Sequence, residues 1–197
     1  MTAEDYCLNV LETYAEIPRP EWQRVRDAMS TRHLESNQFF IREGESSNRV
    51  AFIVSGVFRV FCVTRGGVEK TLAFRNEGQF LAALSPLIEK RDCWYSIQAL
   101  EPGELLCLDV EELDGFTQAS GSCWDRVFRK YIVQLYIEKE NRERSFLTED
   151  ARTRYLNFVE NFPDLEERIP NFHIASYLGI SHVTLSRIRG ELRKPGE

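Results

Sequence analysis

Apolar and polar positions change period twice along the 197 residues. From Thr2 to about Tyr14, Tyr6, Val10, Leu11 and Tyr14 share a helical face, and Thr2 with Asp5 resembles a capping box. Ile17-Pro18-Arg19-Pro20 ends that helix, and Glu21 to Met29 predicts a second one burying Trp22, Val25 and Met29. From His33 to about Asp109 the period becomes that of strands. Val57 to Thr64 and Val68 to Phe74 flank Arg65-Gly66-Gly67 and predict a hairpin. Gly44, Gly56 and Pro102-Gly103 mark further turns, as in an antiparallel sandwich or barrel.

Helical spacing then returns. Glu111 to Gln118 predicts a short helix, and Gly121-Ser122 precedes a long one from Cys123 to about Phe146. Its apolar stripe includes Trp124, Val127, Phe128, Tyr131, Ile132, Leu135 and Tyr136, wider than one contact surface requires. One face should pack on the barrel and the other on a second copy, giving a parallel dimer through Trp124, Val127, Phe128, Tyr131 and Leu135. A helix wedged within a single chain is the alternative. Thr148 is expected to cap the next helix, Glu149 to Asn161, which Phe162-Pro163 stops.

The most specific pattern is Asn171 to Leu192. Asn171, after Pro170, can cap a helix with Phe172, Ile174, Ala175 and Leu178 at helical spacing, and Gly179 supplies the permissive turn. Ser181 can cap a second helix in which Leu185 and Ile188 face inward. His182, Val183, Ser186, Arg187 and Gly190 then point outward, as in a DNA-binding helix-turn-helix. Arg187 suits a guanine edge, His182 a base or phosphate, and Val183 a thymine methyl; Ser181 and Arg189 complete the candidate DNA-contacting set. The alternative for Arg187, Arg189, Arg193 and Lys194 is a solvated basic face.

Composition changes this picture little, but charge localises it. The net charge is −6, yet residues 168–197 carry Arg168, Arg187, Arg189, Arg193 and Lys194 against Glu191 and Glu197, a balance of +3 that leaves −9 elsewhere. An acidic body behind a basic reading head lowers sequence-independent DNA binding. The five cysteines are scattered without a C-x-x-C pair, and the three histidines are dispersed, so no disulfide framework, metal site or cofactor is expected. With no apolar run near ~20 residues and no signal-peptide pattern, no membrane association and a cytoplasmic location are expected.

The order of helices, β-roll, long helix and terminal helix-turn-helix resembles the catabolite-activator/FNR (Crp/Fnr) family of bacterial transcription regulators. The resemblance is carried by IREGESSNRVAFIVSGVFRVF, YSIQALEPGELLCLD and IASYLGISHVTLSRIR. It implies an α+β chain with a β-roll effector domain over 1–121, a dimerisation helix over 122–147 and a DNA-binding domain over 148–197. The implied partners are a pseudo-palindromic double-stranded operator, a second copy, RNA polymerase and a small-molecule effector. Many relatives carry wing strands, which here could come only from Leu165 to Ile169.

Relatives that bind cyclic nucleotide offer Gly-Glu-Leu and then Arg-Ser-Ala, the glutamate holding ribose and the arginine the cyclic phosphate. This chain has Gly78-Gln79-Phe80 and Cys93-Trp94-Tyr95, with Arg91 two residues early and Trp94 able to fill the cavity. Losing one partner of a desolvated charge pair costs about 2–5 kcal/mol, enough to weaken micromolar binding towards millimolar. The β-roll is therefore expected not to answer cyclic nucleotides. The alternatives are a cyclic-nucleotide or other small-molecule sensor with effector-dependent DNA binding, a cupin-like metal enzyme, and an interaction module that no longer reads DNA. Cys93 is read as packing in preference to a redox thiol.

Overall fold

The computed structural model describes residues 1–117 and 122–193. Helices α1 (Ala3–Glu12) and α2 (Arg19–Ala28) lead into β1 (Ser30–Leu34), β2 (Phe39–Ile41), β3 (Arg49–Ser55), β4 (Phe58–Val63), β5 (Glu69–Arg75) and β6 (Phe80–Ala82). Helix α3 (Leu84–Glu89), β7 (Ser96–Ala99), β8 (Gly103–Asp109) and α4 (Val110–Thr117) follow. The chain continues as α5 (Cys123–Thr148), α6 (Ala151–Asn161), α7 (Leu165–Arg168), α8 (Asn171–Leu178) and α9 (His182–Arg193).

The strands form two antiparallel sheets, ordered β1-β8-β3-β6 and β2-β7-β4-β5. Strand β3 is buried on both faces because it lies between two layers. Ala51 and Ile53 join Phe58, Leu81, Ile97 and Leu105 in the space between the sheets. Phe52 projects the other way, into a second core with Cys7, Leu11, Trp22, Val25, Trp124 and Val127. Helices α1, α2, α4 and the start of α5 thus roof the first sheet.

Local signals explain most boundaries. Thr2 and Asp5 close the expected capping box on α1, with Asp5 N donating to Thr2 Oγ1 at 3.1 Å and Thr2 N to Asp5 Oδ2 at 3.0 Å. Ser122 Oγ accepts from Asp125 N at the start of α5. Two expected caps move. Thr148 is the last residue of α5, and Asp150 caps α6 by accepting from Thr153 N at 2.8 Å. Asn171 does not cap α8; its Oδ1 is taken by the Arg189 side chain. Residues 165–168 form a helical turn, not a wing strand, because Leu165 and Ile169 must both reach the terminal core. The expected domain boundary at residue 121, and Lys194, lie outside the described residues.

Candidate nucleic-acid interface and effector loops

Helices α8 and α9 meet across a turn built as the residue types dictate. Ala175, Leu178, Leu185 and Ile188 are all buried in the terminal core. Gly179 has φ +69°, and α8 ends with Ile180 N donating to Ala175 O and Gly179 N to Ser176 O, a Schellman ending. Ser181 Oγ accepts from Thr184 N at 3.1 Å and caps α9.

With Leu185 and Ile188 turned inward, Ser181, His182, Val183, Ser186 and Arg187 form an exposed row on the first turns of α9. The Arg187 side chain is 72% exposed, and among the described residues its nearest carboxylate oxygen, on Glu191, lies 4.0 Å away. Arg189 departs from the expectation. Its side chain is 15% exposed, pairs with Glu166 at 2.6 Å, donates to Asn171 Oδ1 at 2.5 Å and lies over the Tyr155 ring. One guanidinium so ties α9 to α6, α7 and α8. It is a brace, since position 189 falls on the flank where α9 meets its neighbours.

The two stretches expected to hold an effector do not assemble into an anion site. Gly78 has φ +78°, and a Cβ there would lie 2.8 Å from Tyr6 Oη. Gln79 Oε1 accepts from Asn76 N at 3.2 Å, which occupies it in its own turn. Phe80 stacks edge-on against Phe52 and Tyr131 with centroids 5.3 and 5.0 Å apart, on the roofed face of the sheet. Arg91 is turned outward to Glu89 at 2.5 Å. Cys93 is buried, and burial raises its thiol pKa. Tyr95 is half-buried beside it, its hydroxyl pushed up to about 12, first by burial and then by Cys93. Trp94 does not fill the cavity; it stands on the rim, 47% exposed and edge-on to Tyr95. Behind that rim a cleft of about 910 Å³ runs between the β-roll and α5, lined mainly by apolar side chains such as Val60, Leu72, Leu81, Ile97 and Ile132.

Helix α5 has the two apolar faces expected of it, but several residues change sides. Trp124 and Val127 are buried in the chain's own core, and Tyr131 packs on Phe80 and on Tyr14. None of the three is free for a second copy. Trp124 and Val127 follow the first turn of α5 onto α2 and the outer sheet face, where Trp124 Nε1 donates to Glu21. Phe128 and Tyr136 stay exposed, with Ile132 and Leu135 half-buried between them.

Sequence reasoning missed a third group of residues. Arg168 at the end of α7 reaches the β-roll and forks onto two carboxylates. Its Nη2 lies 2.6 Å from Glu77 Oε1 and also bonds Glu101 Oε1, while Nη1 donates to Glu77 Oε2 at 3.1 Å. Glu77 Oε1 also accepts from Gly56 N at 2.9 Å. Burial works against the Glu77 carboxylate, but Arg168 and Gly56 outweigh it and hold the pKa below the ordinary carboxylate range. Around this fork, Val57 and Phe74 of the β-roll share one core with Phe158, Ile174 and Leu178. Ser176 Oγ accepts from Thr71 N at 3.0 Å, and Arg142 Nη2 donates to the carbonyls of Thr71 and Tyr177 at 3.2 and 3.0 Å. A single Arg after Glu166-Glu167 gives no periodic signal, so only the tertiary fold reveals its partners.

Residues 31–120 match the cyclic nucleotide-binding domain family. A global nitrogen regulator of Nostoc sp. is 23% identical over 172 residues, covering 81% of this chain and 77% of that protein. A Crp/Fnr-family transcriptional regulator from Eubacterium rectale superposes with a TM-score of 0.72 at 14% identity, covering 94% of this chain and 88% of that one. The c-di-GMP-responsive global regulator CLP of Xanthomonas campestris gives 0.70 at 17% identity, covering 89% and 92%.

Proposed function

We propose that the chain is a transcription regulator of the Crp/Fnr type that acts as a homodimer, reading a pseudo-palindromic operator without a cyclic nucleotide. The observation that carries this reading is the exposed row His182, Val183, Ser186 and Arg187, capped by Ser181 and backed by buried Leu185 and Ile188. Residues 148–197 form the reading unit. Two such rows about 34 Å apart enter successive major grooves, with Arg187 on a guanine edge and Val183 against a thymine methyl.

The second copy covers the flank of α5 that the chain leaves open, carried by exposed Phe128 and Tyr136 with half-buried Ile132 and Leu135 at its edge. Phe128, Ile132 and Tyr136 recur at intervals of four, with Leu135 three beyond Ile132, and all lie beside the face already packed on the β-roll. Cyclic nucleotide is disfavoured because Arg91 faces Glu89, and Gln79 stands where a ribose-binding carboxylate would be needed. A different small molecule in the apolar cleft, and RNA polymerase beside the bound dimer, are compatible with this surface.

The test is selection of bound sequences from a random DNA pool by the purified protein at stated salt, with no nucleotide added. Enrichment of a two-fold-symmetric motif with half-sites about one helical turn apart is expected. Enrichment only after cyclic AMP or cyclic GMP is added would replace this reading with a nucleotide-dependent one.

A further inference from the structure

We infer that Arg168 is a positioning residue that sets the spacing between the two DNA half-sites, by locking each reading unit onto its own β-roll. The inference rests on the dimeric DNA-reading function proposed above. Its basis is the fork of Arg168 on Glu77 and Glu101, in which all three side chains are less than a third exposed. The guanidinium pKa is raised by both carboxylates, so the cation is present at any working pH.

The fork contributes little to shaping the reading helix itself. Helix α9 is braced within its own unit by Arg189, Glu166 and Asn171 and packs on α8 through Leu185 and Ile188. Arg168 instead ties the unit to the β-roll, beside the shared core of Val57 and Phe74 and the bonds of Ser176 and Arg142. Both anchoring carboxylates belong to the β-roll: Glu77 begins the turn into Gly78, and Glu101 follows β7. The exposed row on α9 stays open while the fork is closed, so the contact does not mask the reading surface. A single half-site sees only α9 and its neighbours. An operator with two half-sites also sees the distance between the two α9 helices, and that distance depends on how firmly each unit is held.

The experiment compares full-length wild type with Arg168→Gln. Selection from a random pool is expected to enrich one half-site spacing for wild type and the same half-site sequence at a spread of spacings for the variant. Affinity for the wild-type operator should fall by about tenfold, within the usual range of coupling between sites, with affinity for an isolated half-site unchanged. A contact that only stabilised the fold would weaken both substrates alike and leave the spacing single, and that result overturns the inference.

Hydrogen exchange needs no DNA and separates this inference from the function beneath it. Faster exchange in residues 69–77 and 171–178 of the variant, with β1 and β8 unchanged, supports the lock even if wild type enriches no motif. Unchanged exchange in those segments overturns it. Glu101→Gln keeps the Arg168–Glu77 pair and should shift the spacing distribution in the same direction by less; it decides the matter if Arg168→Gln does not fold.

Discussion

Gly179 faces the Phe146 ring so closely that a Cβ on the glycine would lie 2.7 Å from Cε1. The end of the long helix thereby touches the turn between α8 and α9. The ring is held in turn by the guanidinium groups of Arg142 and Arg154, 4.8 and 5.2 Å from its centroid. Gly179→Ala adds a left-handed backbone penalty of about 1–2 kcal/mol to that contact. A loss of at least this size is expected in urea unfolding, and Phe146→Ala in the same chain should recover the steric part but not the backbone part.

Arg187 and Arg189, two residues apart on one helix, should fail in different ways. Arg187→Ala is expected to cost about 1–3 kcal/mol of operator affinity and to relax preference at one base pair, with unfolding unchanged. Arg189→Ala removes the partner of Glu166 and Asn171 and should lower the unfolding midpoint first. Binding titrations beside thermal melts distinguish them.

Tyr136→Glu places a charge on the open flank of α5, 66% exposed in the single chain. Sedimentation equilibrium at micromolar concentration should show wild type as a dimer and the variant shifted to monomer, with an unchanged melting curve for the subunit. Trp124→Ala should do the reverse, destabilising the subunit by about 3–5 kcal/mol as expected for a buried aromatic.

His173 gives the chain an acid-sensitive joint. It is 7% exposed where α8 meets the β-roll, Nδ1 has no partner among the described residues, and burial followed by Arg59 depresses its pKa to about 4. The unfolded chain, with an ordinary imidazole near 6.5, binds the proton more readily. Stability is therefore full above about pH 6.5 and falls as the pH drops towards 4, by about 2 kcal/mol between pH 7 and pH 5. His173→Gln should flatten this part of the profile in urea titrations at fixed salt. The further fall at lower pH, where Glu77 takes up its proton, should remain.

Much of this fold could be read from the residues themselves. The capping box at Thr2, the hairpin around Gly66-Gly67, and the turn from Ala175 through Gly179 to Ser181 are local, and local chemistry settles them. The errors share a physical origin. Spacing says which residues lie on one face of a helix but not what that face meets, so Trp124 and Val127 were expected at a partner and are found on α2 and the sheet. Charge places Arg189 on the DNA face, whereas the angle of α9 turns it to Glu166. Asp150 replaces Thr148 as the cap because α5 runs on to Thr148, a boundary that competing cap residues two positions apart cannot decide. Arg168 reads in sequence only as charge, because both of its carboxylates lie far away along the chain.

Val57 and Phe74 belong to the β-roll by sequence and to the terminal helices by packing. Cutting the chain ahead of α6 would strip Phe158, Leu178 and Tyr177 of that cover and bare an apolar surface to water. The head is thus not a portable cassette. A lineage that exchanged it for another would need to remake the outer side of β5 in the same step, which ties the evolution of the terminal helices to that of the domain behind them.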